Sequence, residues 1–283
     1  EDKPRNIRRL YTLTKNPGKV FVEMSEPLNL KDFLQSAQIR HQSTEYQSLV
    51  LRRDLVLRLN RHRRGITGPI RKSRQELKES ILTSGRFQRF MDTYAENRSI
   101  PIHEVRRKAA ALIEEIAANY KPAFIKIASV IVAWITRTMF DGFTTNHEIL
   151  SKVKNMSQKG PLLLIPCHKS HIDYLILDYL LYHNNMQVPH IAAGKNLSFW
   201  PMGPLFRSGG AFFLRRSFAG AVLYARVFAE YIHKLLEEGY HIEQFIEGGR
   251  SRTGKLLMPK LGLLSILISA FKNGACEDMI FVP

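Results

Sequence analysis

Cysteine is scarce in this sequence, with only Cys167 and Cys276 among 283 residues. Two thiols cannot build a disulfide framework or a cysteine zinc site, and such sparing use suits a reducing, cytosolic compartment. Long apolar runs are missing as well. The longest, residues 127–136 and 261–271, reach about half of the roughly 20 residues that a membrane-crossing helix needs, so both are expected as buried core helices. No low-complexity tract or short tandem repeat occurs. Acidic residues are the other shortage: 25 Asp and Glu stand against 42 Lys and Arg, a formal charge of +17. The excess is uneven, with 24 basic against 12 acidic residues in 1–110 and 18 against 13 in 111–283. Such a charge attracts nucleic acid, an anionic lipid surface or phosphorylated substrates, without choosing among them.

The chain is 45% apolar and long enough for one sizeable core or two modest ones. It has no initiator Met and stops at Ile280-Phe281-Val282-Pro283, which reads as a strand cut at its end, so further sequence is expected on both sides. A strand is predicted over 19–24 after the turn Asn16-Pro17-Gly18, then a short helix from Leu30 capped by Asn29. Residues 47–64 read as a basic helix broken by 65–69, and residues 71–97, 101–120 and 123–141 as three further helices. Near Gly160 the rhythm changes. Short apolar strands are predicted at 162–165, 190–193, 211–215, 241–246 and 279–282, with helices at 170–182, 219–238 (ended by Gly239) and 261–272 between them. The pattern predicts an α/β fold, a mostly parallel sheet flanked by helices and preceded by a basic helical region. Its expected divisions are 1–45, the end of a preceding α/β unit; 46–145, the basic helical region; and 146–283, a catalytic domain short of its last strands.

Three clusters could carry chemistry. The first is Pro166-Cys167-His168-Lys169-Ser170-His171-Ile172-Asp173, at a strand-to-helix junction where ligands of open α/β sheets usually bind. Ser170 and Asp173 fit a capping box, which alone would account for the aspartate. Alternatively, Asp173 folds back onto His168, fixes its tautomer and leaves the other ring nitrogen as a base. A substrate hydroxyl would then stand where a catalytic triad has its serine. Cys167 is a poor nucleophile for His168, because neighbours on an extended segment face opposite ways. A metal held by His168, His171 and Asp173 matches no familiar ligand spacing, and His171 reads as cover for the helix start.

The second cluster, Gly209-Gly210-Ala211-Phe212-Phe213-Leu214-Arg215-Arg216, ends an apolar strand on two guanidinium groups. These suit a phosphate or are merely solvated charges, and on a strand only one of them faces a given site. The third is Phe245-Ile246-Glu247-Gly248-Gly249-Arg250-Ser251-Arg252-Thr253-Gly254-Lys255. It satisfies G-x-x-x-x-G-K, yet Leu256 replaces the magnesium-binding hydroxyl and Pro259 interrupts the helix a P-loop needs. An anion-binding loop remains, and the three clusters together suit transfer to a hydroxyl on a phosphorylated acceptor. The arginines Arg52, Arg53, Arg58, Arg61, Arg63 and Arg64 read as a solvated helix face or as a membrane-surface patch. A nucleic-acid-binding protein would leave all three clusters without a purpose, and no helix-turn-helix or zinc-finger signature stands out.

His168-Lys-Ser-His-Ile-Asp173 resembles the H-x-x-x-x-D box of the glycerolipid acyltransferases. Gly210-Ala-Phe-Phe-Leu-Arg215 resembles the family's second block, Phe245-Ile-Glu-Gly-Gly-Arg250 its third and Val282-Pro283 the start of its fourth, in the same order and spacing. The stretch Ile191-Ala-Ala-Gly-Lys-Asn-Leu-Ser-Phe-Trp200-Pro-Met-Gly-Pro204 is similar to the bacterial membrane-associated glycerol-3-phosphate branch. The resemblance covers roughly residues 70–283, with Met258 and Leu261 as departures. It implies a glycerol-3-phosphate O-acyltransferase that uses acyl-CoA or acyl-carrier protein as co-substrate and makes lysophosphatidate. Relatives acting on dihydroxyacetone phosphate or lysophosphatidate are the alternative. His168 is implied as base and Asp173 as its partner, with Arg215 and Arg250 on the phosphate. Arg216, Arg252 and Lys255 would help there, while Glu247 and Gly248 shape the third loop. No metal, other cofactor or nucleic acid is implied, and the expected place is the cytoplasmic face of the inner membrane, bound peripherally to its anionic surface.

Overall fold

The computed structural model describes residues 71–140, 144–170 and 172–283, preceded by 28–35, 40, 44, 47–48, 50–52 and 55. Residues 1–66 and 67–283 form two compact units. In the first, helix α1 (Leu30–Leu34) starts as expected, with the Asn29 side chain accepting the Lys31 N–H at 3.0 Å. Gln47, Ser48, Leu51, Arg52 and Leu55 are helical. The strand and turn expected at 16–24, the rest of the basic run, the break at 65–69 and His171 lie outside the described residues.

The second unit opens with helices α2 (Arg74–Leu82), α3 (Gly85–Arg98) and α4 (Ile102–Ile116). The single helix expected over 71–97 is two, because Ser84 caps a new start by accepting the Phe87 N–H at 3.2 Å. Helix α4 stops at Ile116, short of the expected 120. The backbone of 118–121 turns outward to other partners: Ala118 N–H donates to the Tyr231 hydroxyl, Asn119 to Arg207 O and Lys121 to Ser208 O.

Helix α5 (Pro122–Met139) corrects a sequence expectation. Its run was expected in the core, yet only 22% of it is buried, and at 18 residues it has the length and composition of a membrane span. Counting uninterrupted apolar residues hides this, because Lys126 and Arg137 punctuate a helix that Ser, Ala and Thr extend.

The remaining elements are α6 (His147–Met156), β1 (Leu162–Leu164), α7 (Asp173–His183), β2 (His190–Gly194), a 3-10 turn (Lys195–Leu197), α8 (Met202–Ser208), β3 (Ala211–Leu214), α9 (Val222–Glu237), β4 (Ile242–Glu243), α10 (Gly262–Lys272) and β5 (Ile280–Val282). All strand pairings are parallel, in the order β3-β2-β4-β1-β5. The α/β fold with a parallel sheet is therefore present. Helices α6 and α8 and the 3-10 turn had no counterpart in the sequence reading, and the run expected over 261–272 is α10 (Gly262–Lys272), with one buried face, Leu263, Leu267 and Ala270.

Successive side chains of a strand face opposite sides, and β1 uses both. Leu163 joins a large core with Ile81, Phe87, Ile113, Phe212 and Phe228. Leu162 and Leu164 join a smaller one with Leu181, Met186 and Ile280. Helices α2, α3 and α4, expected in a separate basic helical region, thus share the core of the sheet.

Candidate active site

Strands β1 and β4 are neighbours, so the loops that leave their carboxyl ends meet. Ser251 N–H donates to His168 O at 2.9 Å, tying the third cluster to the first. Glu247 completes the junction. Its Oε1 accepts the His168 N–H at 3.2 Å and its Oε2 the Leu257 N–H at 3.0 Å. The Leu257 and His168 N–H groups hold its carboxyl below the usual range. Gly248 follows at φ +62, and a Cβ there would sit 2.6 Å from the Lys260 Cδ, so the turn requires glycine.

Asp173 is the first residue of α7, with Ile172 at the N-cap position. Only half of the expected capping box forms: the Ser170 N–H donates to Asp173, while Ser170 Oγ accepts the Ile172 N–H at 3.3 Å. The aspartate turns back towards the loop. Its Oδ2 accepts the Lys169 and Ser170 N–H groups, each at 2.7 Å, and lies 3.2 Å from His168 Nδ1. Three donors on one oxygen fix the carboxylate, and through it the imidazole, which also packs 4.1 Å from the Phe245 ring centre. Cys167 points elsewhere: its thiol donates to Glu247 Oε1 at 3.4 Å, which raises its pKa and makes it a weaker nucleophile.

Arg250, Arg252 and Lys255 are exposed on the loop after β4 and make no ion pair among the described residues. Arg250 bears electrostatically on Tyr174 in the first turn of α7. Arg215 and Arg216 stand apart, after β3. Three strand spacings of roughly 4.8 Å separate that edge from β1, or about 14 Å. Arg216 is exposed, whereas Arg215 is engaged by Glu115 of α4 through Nε at 2.7 Å and Nη2 at 2.8 Å. Lys195 Nζ reaches the same carboxylate at 2.9 Å. The structure thus brings His168, Asp173, Glu247, Gly248 and Arg250 to one junction and sets Arg215 on a second cationic corner. Glu115 and Lys195 are absent from the sequence reading. Lys195 lies inside the quoted 191–204 stretch, but nothing in the spacing of α4 singles out Glu115. Among the described residues no group of three or more His, Cys, Asp and Glu side chains could hold a metal ion.

The acyltransferase family profile matches residues 148–283. The glycerol-3-phosphate acyltransferase of Shewanella denitrificans is 38% identical over 261 residues, covering 90% of this chain and 32% of that protein. The protein of the same name from Aeromonas hydrophila is 35% identical over 281 residues, 99% of this chain and 34% of its own length. The chain spans about a third of the length of these curated relatives. Residues 148–283, which hold the His168–Asp173 pair and both cationic corners, are an acyltransferase-family domain.

Proposed function

We propose that this chain carries the acyl-transfer centre of an enzyme that moves a fatty acyl group to the sn-1 hydroxyl of glycerol 3-phosphate, giving lysophosphatidate. The donor is acyl-CoA or acyl-carrier protein, with no other cofactor. One observation carries the reading: a histidine braced by a three-donor aspartate stands at the carboxyl end of β1, beside a loop whose exposed cations make no ion pair among the described residues. The relatives' names supply the choice of acceptor.

With Nδ1 turned to Asp173, Nε2 of His168 takes the proton of the sn-1 hydroxyl. The oxygen attacks the thioester carbonyl, the tetrahedral adduct collapses, the C–S bond breaks, and the imidazolium returns its proton to the departing thiolate. Asp173 balances the imidazolium charge without becoming protonated. Arg215 and Arg250 hold the phosphate from two sides, with Arg216, Arg252 and Lys255 adding positive potential. Glu247 and Gly248 keep the two loops in register.

The reading includes a place, the anionic cytoplasmic surface of the inner membrane. Helix α5 favours it: Ile127, Val130, Ile131 and Trp134 form an exposed apolar stripe, with Lys126 and Arg137 on the same face. Its other side, Ile125, Ser129, Val132 and Thr136, is buried. A helix with one face packed on protein and one apolar, cation-edged face suits the lipid interface rather than a bilayer crossing.

The test is labelled acyl transfer by the full-length protein to glycerol 3-phosphate, dihydroxyacetone phosphate and lysophosphatidate in parallel. Glycerol 3-phosphate is expected to be the acceptor, and His168→Ala to lower turnover by about 10²–10⁴-fold. Near-normal turnover in that variant sinks the mechanism, and preference for another acceptor sinks the substrate.

A further inference from the structure

The acceptor-binding corner contains a carboxylate where an anion-binding site should avoid one. Glu115 ends α4 beside Arg215 and Lys195, and its two oxygens take three contacts. Oε1 lies 2.7 Å from Arg215 Nε and 2.9 Å from Lys195 Nζ, and Oε2 lies 2.8 Å from Arg215 Nη2. The two cations come from different places in the chain, Lys195 from the turn after β2 and Arg215 from the loop after β3. Strands β2 and β3 are paired neighbours, with Gly194 opposite Leu214, so both cations emerge side by side. Without a counter-ion they would repel each other and splay into solvent.

Three further contacts make the arrangement a built one. Arg215 N–H donates to the Tyr224 hydroxyl at 3.0 Å, and its guanidinium lies over the Tyr224 ring, 4.3 Å from its centre. Arg207 Nη2 donates to the Glu115 carbonyl at 2.5 Å, which pins the last turn of α4. The neighbouring Glu114 looks away, pairing with Arg74 and Lys78. Arg215 holds the carboxyl of Glu115 far below the ordinary range, at about 2, so it is charged at any working pH. The trio keeps a net charge of +1, and Arg215 Nη1 has no partner among the described residues.

An isolated surface ion pair adds little to stability. Bridging two cations from adjacent strand ends has another use, because pre-organised donors bind an anion without the cost of collecting them.

We infer that Glu115 is a positioning residue for the acceptor's phosphate. It holds Arg215 and Lys195 together so that Arg215 Nη1 and the outer protons of Lys195 face one phosphate group. Lys195 thereby becomes a phosphate ligand alongside Arg215. This rests on the reading of the chain as an acyltransferase for a phosphorylated alcohol.

The test uses steady-state kinetics of the full-length enzyme with glycerol 3-phosphate and an acyl donor varied separately. Glu115→Gln keeps the shape and removes the charge. Its KM for glycerol 3-phosphate should rise about tenfold, more than kcat falls, while the KM for the acyl donor stays within about twofold. Glu115→Asp, still charged but shorter, should lie between wild type and Glu115→Gln. In an Arg215→Lys background, which cannot receive the two-point contact, Glu115→Gln should lose most of its effect. An unchanged KM overturns the inference, and a lower one shows Glu115 competing with phosphate instead. Parallel changes in kcat and both KM values, with a lower unfolding temperature, mark a merely structural carboxylate and overturn it too. If Glu115→Gln does not fold, Lys195→Met at a half-exposed position keeps the question open to measurement. The same selective rise in the acceptor KM is expected there, and its absence overturns the role of Lys195. Arg215→Ala separates the two levels. If it leaves the acceptor KM unchanged, the phosphate is not bound at this corner and the underlying reading fails. If it raises KM while Glu115→Gln does not, only the positioning role fails.

Discussion

At the scale of single residues, the protonation of buried groups sets how stability follows pH. His241 is buried and accepts the Leu162 N–H on Nδ1 at 3.1 Å, which only a ring unprotonated at that nitrogen can do. Burial pushes both His241 and His190 down to about 3. A lowered histidine contributes stability that is present above the unfolded value of 6.5 and is lost as pH falls towards 3. Glu243 has the opposite sign. It is fully buried in β4, neither of its carboxylate oxygens has a hydrogen-bond partner among the described residues, and burial holds it well above the usual range. Its contribution is complete below the unfolded 4.5 and is lost as pH rises through the folded value. Asp178, raised mainly by burial, acts in the same sense. Glu243→Gln should therefore flatten the decline of stability above pH 4.5, seen in denaturant midpoints at pH 5, 7 and 9. An unaltered pH slope would mean that Glu243 is ionised in the fold. Gly248 offers a second residue-scale test. Gly248→Ala adds about 1–2 kcal/mol of left-handed strain and a contact with Lys260. Acyl transfer should fall, and the unfolding temperature should drop by only about 2–8 °C, the shift expected of about 1–2 kcal/mol in a domain of this size.

Among the elements, α7 and α5 show how local signals and tertiary demands diverge. Ser170 and Asp173 carry a capping-box pattern, yet Asp173 moves to the first helical position, where it collects the loop N–H groups and His168. A carboxylate near a helix N-terminus also gains from the helix dipole, so capping chemistry and imidazole positioning coincide in one side chain. Helix α5 packs against α7 along one face. Ile131, 51% exposed, sits mid-stripe. Ile131→Asp should weaken co-sedimentation of the full-length protein with anionic vesicles by about tenfold or more, since a charge in an apolar interface costs on the order of 2 kcal/mol. Binding that ignores this change and the anionic lipid content would remove α5 from the membrane surface.

At the scale of the second unit, helices α2, α3 and α4 and the sheet share one core. Ile113 of α4 is fully buried in the cluster that includes Phe212 of β3 and Phe228 of α9. Ile113→Ala should cost about 2–5 kcal/mol and should reduce hydrogen-exchange protection in β2 and β3 as well as in α4. Loss confined to α2–α4 would mean that those helices fold separately from the sheet. The shared core also explains how a glutamate on α4 comes to the corner where β2 and β3 end.

The parallel sheet and the His168–Asp173 pair were legible in the sequence for a physical reason. Buried parallel strands need short apolar runs, the loops after them carry polar chemistry, and a five-residue spacing at a strand-to-helix junction keeps its partners close whatever surrounds it. Asp173's exact position in the helix is not set by the capping pattern alone, because its carboxylate also takes the Lys169 N–H and His168 from the loop before the helix. What only the tertiary structure decided involves partners far apart in the chain. Strand β4 enters between β1 and β2, so Glu247 reaches the His168 loop from 79 residues away. Glu115 meets Arg215 across 100 residues. The exposure of α5 belongs here too, since an apolar helix is equally a core or a surface element until its neighbours are placed. The local box places His168 against Asp173, and the strand order decides which cationic loops lie beside them.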